Sequence, residues 1–260
     1  FDELFREAGT RLEDHLQLQR VDILARHSWV QGGQLDLFAD VARSAEAIAA
    51  FAGPADARGY RDFVARAQRT YQALEAPFIR AERPSPVSLV ARAGLGGAAK
   101  LLATQPFASL WTAIGEHFKD PRLRQLFGRY ATYVGSSPFM APATLMLIAH
   151  VEQAGVWLVE GGMHRVAQAL AGLAEDLGAR LRYDAEVTEV LVEGGRVAGV
   201  RLKDGETLKA RAVIVNADVS ALAAGRLGPS VVQAVSAVPR AKRSLSAVTW
   251  AMHVSTTGFP

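Results

Sequence analysis

The feature that most restricts this chain is a change of hydrophobic period at Gly155. Before it, apolar residues recur mostly at helical spacing. After it, they come in short runs cut by glycine turns, the mark of strands. Gly194-Gly195 and Asp204-Gly205 are strong hairpin turns. They separate the strand-like runs 186–193, 196–203 and 206–209, with a further short strand expected at 181–183. A helix with Val166, Leu170, Leu173, Ala174 and Leu177 on one face precedes them and stops at Gly178. Residues 212–216, apolar up to Asn216, read as a buried strand. Asn216-Ala217-Asp218 then supplies polar caps for a helix beginning near Val219.

Upstream, Ile23, Trp29, Val30, Leu35 and Leu37 flank Gln31-Gly32-Gly33, which predicts a hairpin over 21–38. Asp40 is placed to cap a helix over 41–51, and Gly53-Pro54 breaks it. A second helix over 56–75 carries Tyr60, Phe63, Val64, Ala67, Tyr71 and Leu74 at helical spacing. Pro77, Pro84 and Pro86 mark a connecting loop. The segment 87–118 is apolar but interrupted by Gly94, Gly96, Gly97 and Pro106. Asp120-Pro121 opens a helix with Leu123, Leu126, Phe127, Tyr130 and Val134 on one stripe. The expected class is α/β (α+β).

Composition narrows the chemistry. With 260 residues, half of them hydrophobic, the chain can bury one large core or two ordinary ones. A net charge of +3 spread without a long basic run gives no footprint for nucleic acid. The absence of cysteine removes disulfides, thiolate metal sites and a cysteine nucleophile, so redox chemistry requires a cofactor. The six histidines, at 15, 27, 117, 150, 164 and 253, show no metal-ligand spacing, and no metal site is expected. Ser136 and Ser137 stand before Pro138 rather than in a G-x-S-x-G elbow, which argues against a hydrolase.

Two glycine motifs invite a cofactor reading. Gly94-Leu95-Gly96-Gly97-Ala98-Ala99 fits the dinucleotide pattern. It follows two prolines and Arg92 instead of a buried strand, so a phosphate role is not assigned. Glu160-Gly161-Gly162-Met163-His164 lies between a short apolar run, 156–159, and a helix. Paired glycines there allow close backbone approach and leave N–H donors at a helix start, although an ordinary turn explains them equally well.

Together with Trp157-Leu158-Val159 before it, and with 185–190 and 213–218, that stretch resembles the middle of the FAD-dependent phytoene desaturase family of carotenoid desaturases. The resemblance runs from about Leu4 to the C-terminus and is closest to the hydroxy- and methoxyneurosporene desaturases. It implies an enzyme that inserts a carbon–carbon double bond into an acyclic carotenoid and passes a hydride to FAD. It also implies an internal fragment of a two-domain flavoprotein, lacking the N-terminal fingerprint and a C-terminal flavin segment. On that reading 1–20 is a connecting segment, 21–154 the mostly helical substrate domain, 155–228 part of the FAD domain, and 229–260 a return to the substrate domain.

The resemblance places Glu160, Gly161, Gly162 and Met163 beside the flavin ring, and the backbone of Val187 against the adenine. It makes His27, Trp29, Ser136 and Trp157 candidates for the substrate channel; no catalytic residue is assigned. These 260 residues alone are not expected to hold FAD stoichiometrically, since nothing in them cradles the pyrophosphate. The expected location is cytoplasmic with a peripheral contact on the inner or photosynthetic membrane. That contact is expected through 87–118, where apolar residues accompany Arg92 and Lys100 close behind Arg83, against the alternative of a buried helix pair. Two other readings stay open: an amine oxidase or protoporphyrinogen oxidase of the same flavoprotein group, or a flavin-free module that binds an apolar ligand or a partner.

Overall fold

The computed structural model describes residues 1–82, 97, 101–239, 243, 247–250 and 252–255. It divides into two compact units, 1–166 with 244–260, and 167–243. The fold is mixed helix and sheet.

In the first unit, α1 (Asp2–Glu7) buries Phe5 and is followed by the short strand β1 (Leu18–Arg20). The expected hairpin forms as β2 (Ile23–Ser28) and β3 (Gln34–Phe38), paired from Ile23↔Phe38 to Ser28↔Gln34. Its turn closes where Gly33 O accepts from Trp29 N. Gly33 has φ +101°, and a Cβ there would lie 2.9 Å from the Phe51 ring. Alternation sends Leu35 and Leu37 into the core, while Arg26 and Asp36 pair in a bidentate ion pair on the other face.

Asp40 caps α2 (Val41–Ala52), accepting from Arg43 N at 2.8 Å. Gly53, at φ +93°, ends that helix, and Pro54 begins α3 (Pro54–Leu74). Tyr60, Phe63, Val64, Ala67 and Leu74 form the buried stripe of α3, as their spacing predicts. They meet α4 (Leu110–His117), α5 (Pro121–Gly128) and α6 (Leu147–Ala154). Phe63 packs edge-on against Phe118 at 5.4 Å, Phe118 stacks on Phe127 at 4.7 Å, and Tyr60 stacks on Phe127 at 5.9 Å. Buried Asp56 accepts from Lys119 N at 2.6 Å and so holds the link between α4 and α5. That link leads into Asp120, which caps α5.

Strand β4 (Trp157–Val159) pairs antiparallel with β1, and α7 (His164–Asp176) follows. In the second unit, β5 (Val187–Glu193), β6 (Arg196–Leu202) and β7 (Thr207–Lys209) form a meander around the two glycine turns. Val190 and Leu202 are its buried apolar side chains. Asp218 caps the short α8 (Val219–Ala223), accepting from Ser220 N at 2.7 Å.

The structure departs from the sequence reading in several places. Residues 181–183 and 212–216 form no strand, and Ile214 is 96% exposed. An all-apolar run becomes a central strand only when neighbours cover both its edges and faces, and among the described residues none pairs with it. After Gly128 the chain tightens to a 3-10 helix over Arg129–Val134. Three residues per turn carry Val134 out of the stripe, where it is half exposed. Leu177 lies beyond the end of α7 and is exposed. Pro77 sits in a π-helical turn, Glu75–Ile79, whereas Pro84 and Pro86 lie outside the described residues. So do 94–96 and 98–99 of the glycine motif.

Two glycines inside helices should respond oppositely to alanine. Helix propensity favours alanine by about 1 kcal/mol at each. At Gly59, however, a Cβ would collide with the backbone O of His117, whereas at Gly172 it meets nothing within 4 Å. Gly59→Ala should therefore destabilise the chain by about 1–3 kcal/mol, and Gly172→Ala should raise stability by roughly 0.5–1 kcal/mol. Urea unfolding of both variants checks the signs.

Burial and the charge of Arg129 hold His27 below its ordinary value of 6.5, against the pull of Glu152 and Asp36. Burial and Arg66 do the same for His117. The unfolded chain then binds more protons below 6.5 than the folded one, so this part of the stability is intact above that pH and lost as pH falls through it. The urea midpoint should drop between about pH 8 and about pH 5.5, and less in the variant carrying His27→Gln and His117→Gln. An equal drop in both proteins would contradict the assignment.

Candidate functional site

The turn that joins β4 to α7 is built by pairing far apart in sequence. Leu18↔Val159, Gln19↔Leu158 and Arg20↔Trp157 are in register. The ladder continues outward through Glu160 N to Gln17 O and Val21 N to Val156 O, both 3.0 Å. The chain then reverses where Gly162 N donates to Val159 O at 2.9 Å, and α7 starts as Arg165 N reaches Gly162 O at 3.1 Å. Gly161 and Gly162 have φ of +79° and +88°, a region costly for residues with a Cβ. A Cβ on Gly161 would press on the Arg165 side chain at 3.0 Å, while one on Gly162 meets nothing within 4 Å. The backbone at Gly162 therefore faces open space.

Glu160 and Gly161 line a cleft of about 370 Å³ together with His15, Leu16, Gln17 and Arg165. His15 is fixed by a 3.0 Å hydrogen bond with Thr10 and lies over Phe5 at 5.1 Å. Met163 is exposed and Trp157 half exposed beside this turn, and Arg20 sits 5.9 Å from the Trp157 ring centroid. His15, Gln17 and Arg165 were not singled out in the sequence, because only the β1–β4 pairing brings the first two to the glycine turn.

Val187 begins β5 in the second unit and pairs with Leu202. In the described sheet β5 is an edge strand, so part of its backbone faces away from the ladder. Beside it is an open cleft of about 480 Å³ lined by residues 182–186 and 202–204. Asp184 there has φ +56°, a conformation that aspartate tolerates better than most residues.

His27 and Trp29 share the core-facing side of the hairpin, their ring centroids 6.2 Å apart. Trp29 packs on Phe51 at 5.0 Å and donates Nε1 to Gln125 Oε1 at 2.9 Å. His27 Nε2 is shut off from solvent and has no hydrogen-bond partner among the described residues. Near it is a polar network that the sequence did not reveal: Glu152 accepts from Arg129 Nη2 and from Tyr130 Oη, each at 2.8 Å. Burial and the Glu152 charge push Tyr130 well above its ordinary value of 10, which keeps its hydroxyl a donor. Ser136 is half-buried in a loop that follows the left-handed Gly135, and its N donates to Ala131 O. That loop is tied to α4 by Trp111 N donating to Pro138 O. Among the described residues, no hydrogen bond or ring contact joins Ser136 or Trp157 to the His27–Trp29 pair.

Of the membrane candidates in 87–118, residues 87–96 and 98–100 lie outside the described residues. Leu110, Ile114 and Phe118 are buried in the core, while Leu102 and Phe107 are 67% and 94% exposed. No described helix is long and apolar enough to cross a membrane, and the described residues contain no cluster of three metal-ligating side chains.

Residues 2–255 match the family model described as flavin containing amine oxidoreductase. The chain is 51% identical over its whole length to the hydroxyneurosporene desaturase of Rubrivivax gelatinosus, and 45% identical to that of Cereibacter sphaeroides. It covers 50% and 52% of those proteins. Over 84% of the chain it is 36% identical to the phytoene dehydrogenase of Streptomyces griseus, covering 42% of it. The chain thus spans about half the length of the curated relatives it matches. On the extent of these matches, the chain belongs to the flavin containing amine oxidoreductase family.

Proposed function

We propose that this chain is part of an FAD-dependent carotenoid desaturase acting on an acyclic substrate of the hydroxyneurosporene or methoxyneurosporene type. The observation that carries this reading is identity of 51% across the entire chain with a protein named for that reaction. The geometry of the glycine turn supports it. The open space at Gly162 and the N–H groups at the start of α7 suit a planar, electron-rich ring lying close to backbone, and Glu160, Gly161 and Met163 flank the same place.

When bound, the flavin would supply the redox chemistry, as the acceptor of the two electrons and two hydrogens given up when a substrate C–C bond becomes a double bond. This chain's residues bring the ring and the hydrocarbon together and keep water out. The backbone of Val187 reads the adenine from the edge of β5. His27, Trp29, Ser136 and Trp157 are assigned to the substrate channel, and no catalytic role is given to any of them. A hydrocarbon offers little to hydrogen-bond, so channel shape carries most of the specificity. The protein works at a membrane surface, where its substrate is dissolved, and the exposed Leu102 and Phe107 supply part of a peripheral contact in 87–118.

The test uses the full-length enzyme with carotenoid in vesicles. Desaturation lengthens the conjugated chain, so absorbance should shift to longer wavelength. Turnover of an amine but of no carotenoid would overturn the reading. In the same protein, Gly162→Val should weaken flavin retention by roughly tenfold or more, because its methyls enter the space assigned to the ring and overpacking there costs about 1–3 kcal/mol. Unchanged flavin content and unchanged reduction by substrate would make this turn merely structural.

A further inference from the structure

A second cleft of the first unit is unrelated to the glycine turn. It has a volume of about 520 Å³ and lies between α3 and the turn at 103–105. Arg66, Arg69, Thr70 and Ala73 line it from one face of α3, at spacings of three and four residues. Ala103, Thr104 and Gln105 form the opposite wall. Glu116 holds Arg66 in place through a 2.6 Å contact to Nη1, while Nη2 is shut off from solvent and has no acceptor among the described residues. His117 Nε2 is 3.4 Å from the same Nη1. Arg69 is exposed and makes no ion pair among the described residues. Glu116 therefore balances one guanidinium and leaves the other uncompensated.

Gln105 has φ +52°, a left-handed conformation that non-glycine residues adopt at a cost and that gathers at binding sites. Beside this turn, Leu102 and Phe107 stand almost free in solvent.

We propose that this cleft binds a phosphate group. Paired guanidinium groups beside the exposed Gln105 amide suit a phosphate's oxygens. The phosphate belongs either to a lipid headgroup, with Leu102 and Phe107 in the acyl layer, or to a soluble phosphate compound. The inference rests on the geometry of α3 and is independent of the desaturase reading.

The test compares the full chain with Arg69→Gln and with Ala103→Glu, which sets a carboxylate on the exposed rim. Circular dichroism verifies folding, and Ala103→Glu carries the test if Arg69→Gln does not fold. Binding is read by tryptophan fluorescence with inorganic phosphate, and by co-sedimentation with phosphatidylcholine vesicles that contain or lack phosphatidic acid. Each variant should bind about fivefold more weakly, the effect of one arginine near a phosphate surface. A saturable response to inorganic phosphate, weakened by the variants, identifies a soluble compound. Sedimentation that needs phosphatidic acid and weakens in the variants, without that response, identifies a headgroup. Binding by neither route, or equal binding by wild type and folded variants, overturns the proposal.

Discussion

The first unit depends on how closely α3 approaches its neighbours. Burying Phe63, Phe118 and Phe127 in mutual contact removes large apolar surfaces from water, at about 25 cal/mol per Å². That burial is available only because Gly59 presents no side chain to the backbone of His117. Asp56 fixes the same approach in polar terms, satisfying Lys119 N where the chain leaves α4. With α3 set, α2 and the hairpin join the core through Leu35, Leu37 and Ile48, and α6 joins it through Ile148 and Ala149.

From α6 the consequences reach the glycine turn. Glu152 near the end of that helix is tied to Arg129 and Tyr130, and Gln153 donates to Tyr60 on α3 at 3.1 Å. Two residues later Gly155, at φ +140°, turns the chain into β4, whose pairing with β1 aims Gly161 and Gly162. Removing a partner from a buried ion pair leaves a charge without compensation. The Arg129–Glu152 pair thus matters to the turn through position rather than contact.

Local signals in the sequence were reliable where one residue decides the outcome. Asp40, Asp120 and Asp218 each accept the helix-start hydrogen bond their spacing implies. Gly194-Gly195 and Asp204-Gly205 separate paired strands as expected. Phe63 and Tyr60 are buried because helical spacing puts them on one face. The sequence was silent where the outcome depends on remote partners. It showed neither the β1–β4 pairing that brings His15 and Gln17 to Gly161, nor the Arg129–Glu152 pair, nor the lack of a described partner for 212–216. Of the candidate site, the glycine turn was visible as a motif. The neighbours that give it a cleft were not.

A flavin bound as proposed would lie against the amides of the glycine turn and of the β5 edge. Hydrogen–deuterium exchange on the full-length enzyme, with and without FAD, tests this directly. Residues 161–165 and the amides around Val187 should exchange more slowly when FAD is bound, while α3, distant in role, stays unchanged. If FAD binds and neither segment gains protection, the flavin lies elsewhere and the assignment of this site is wrong.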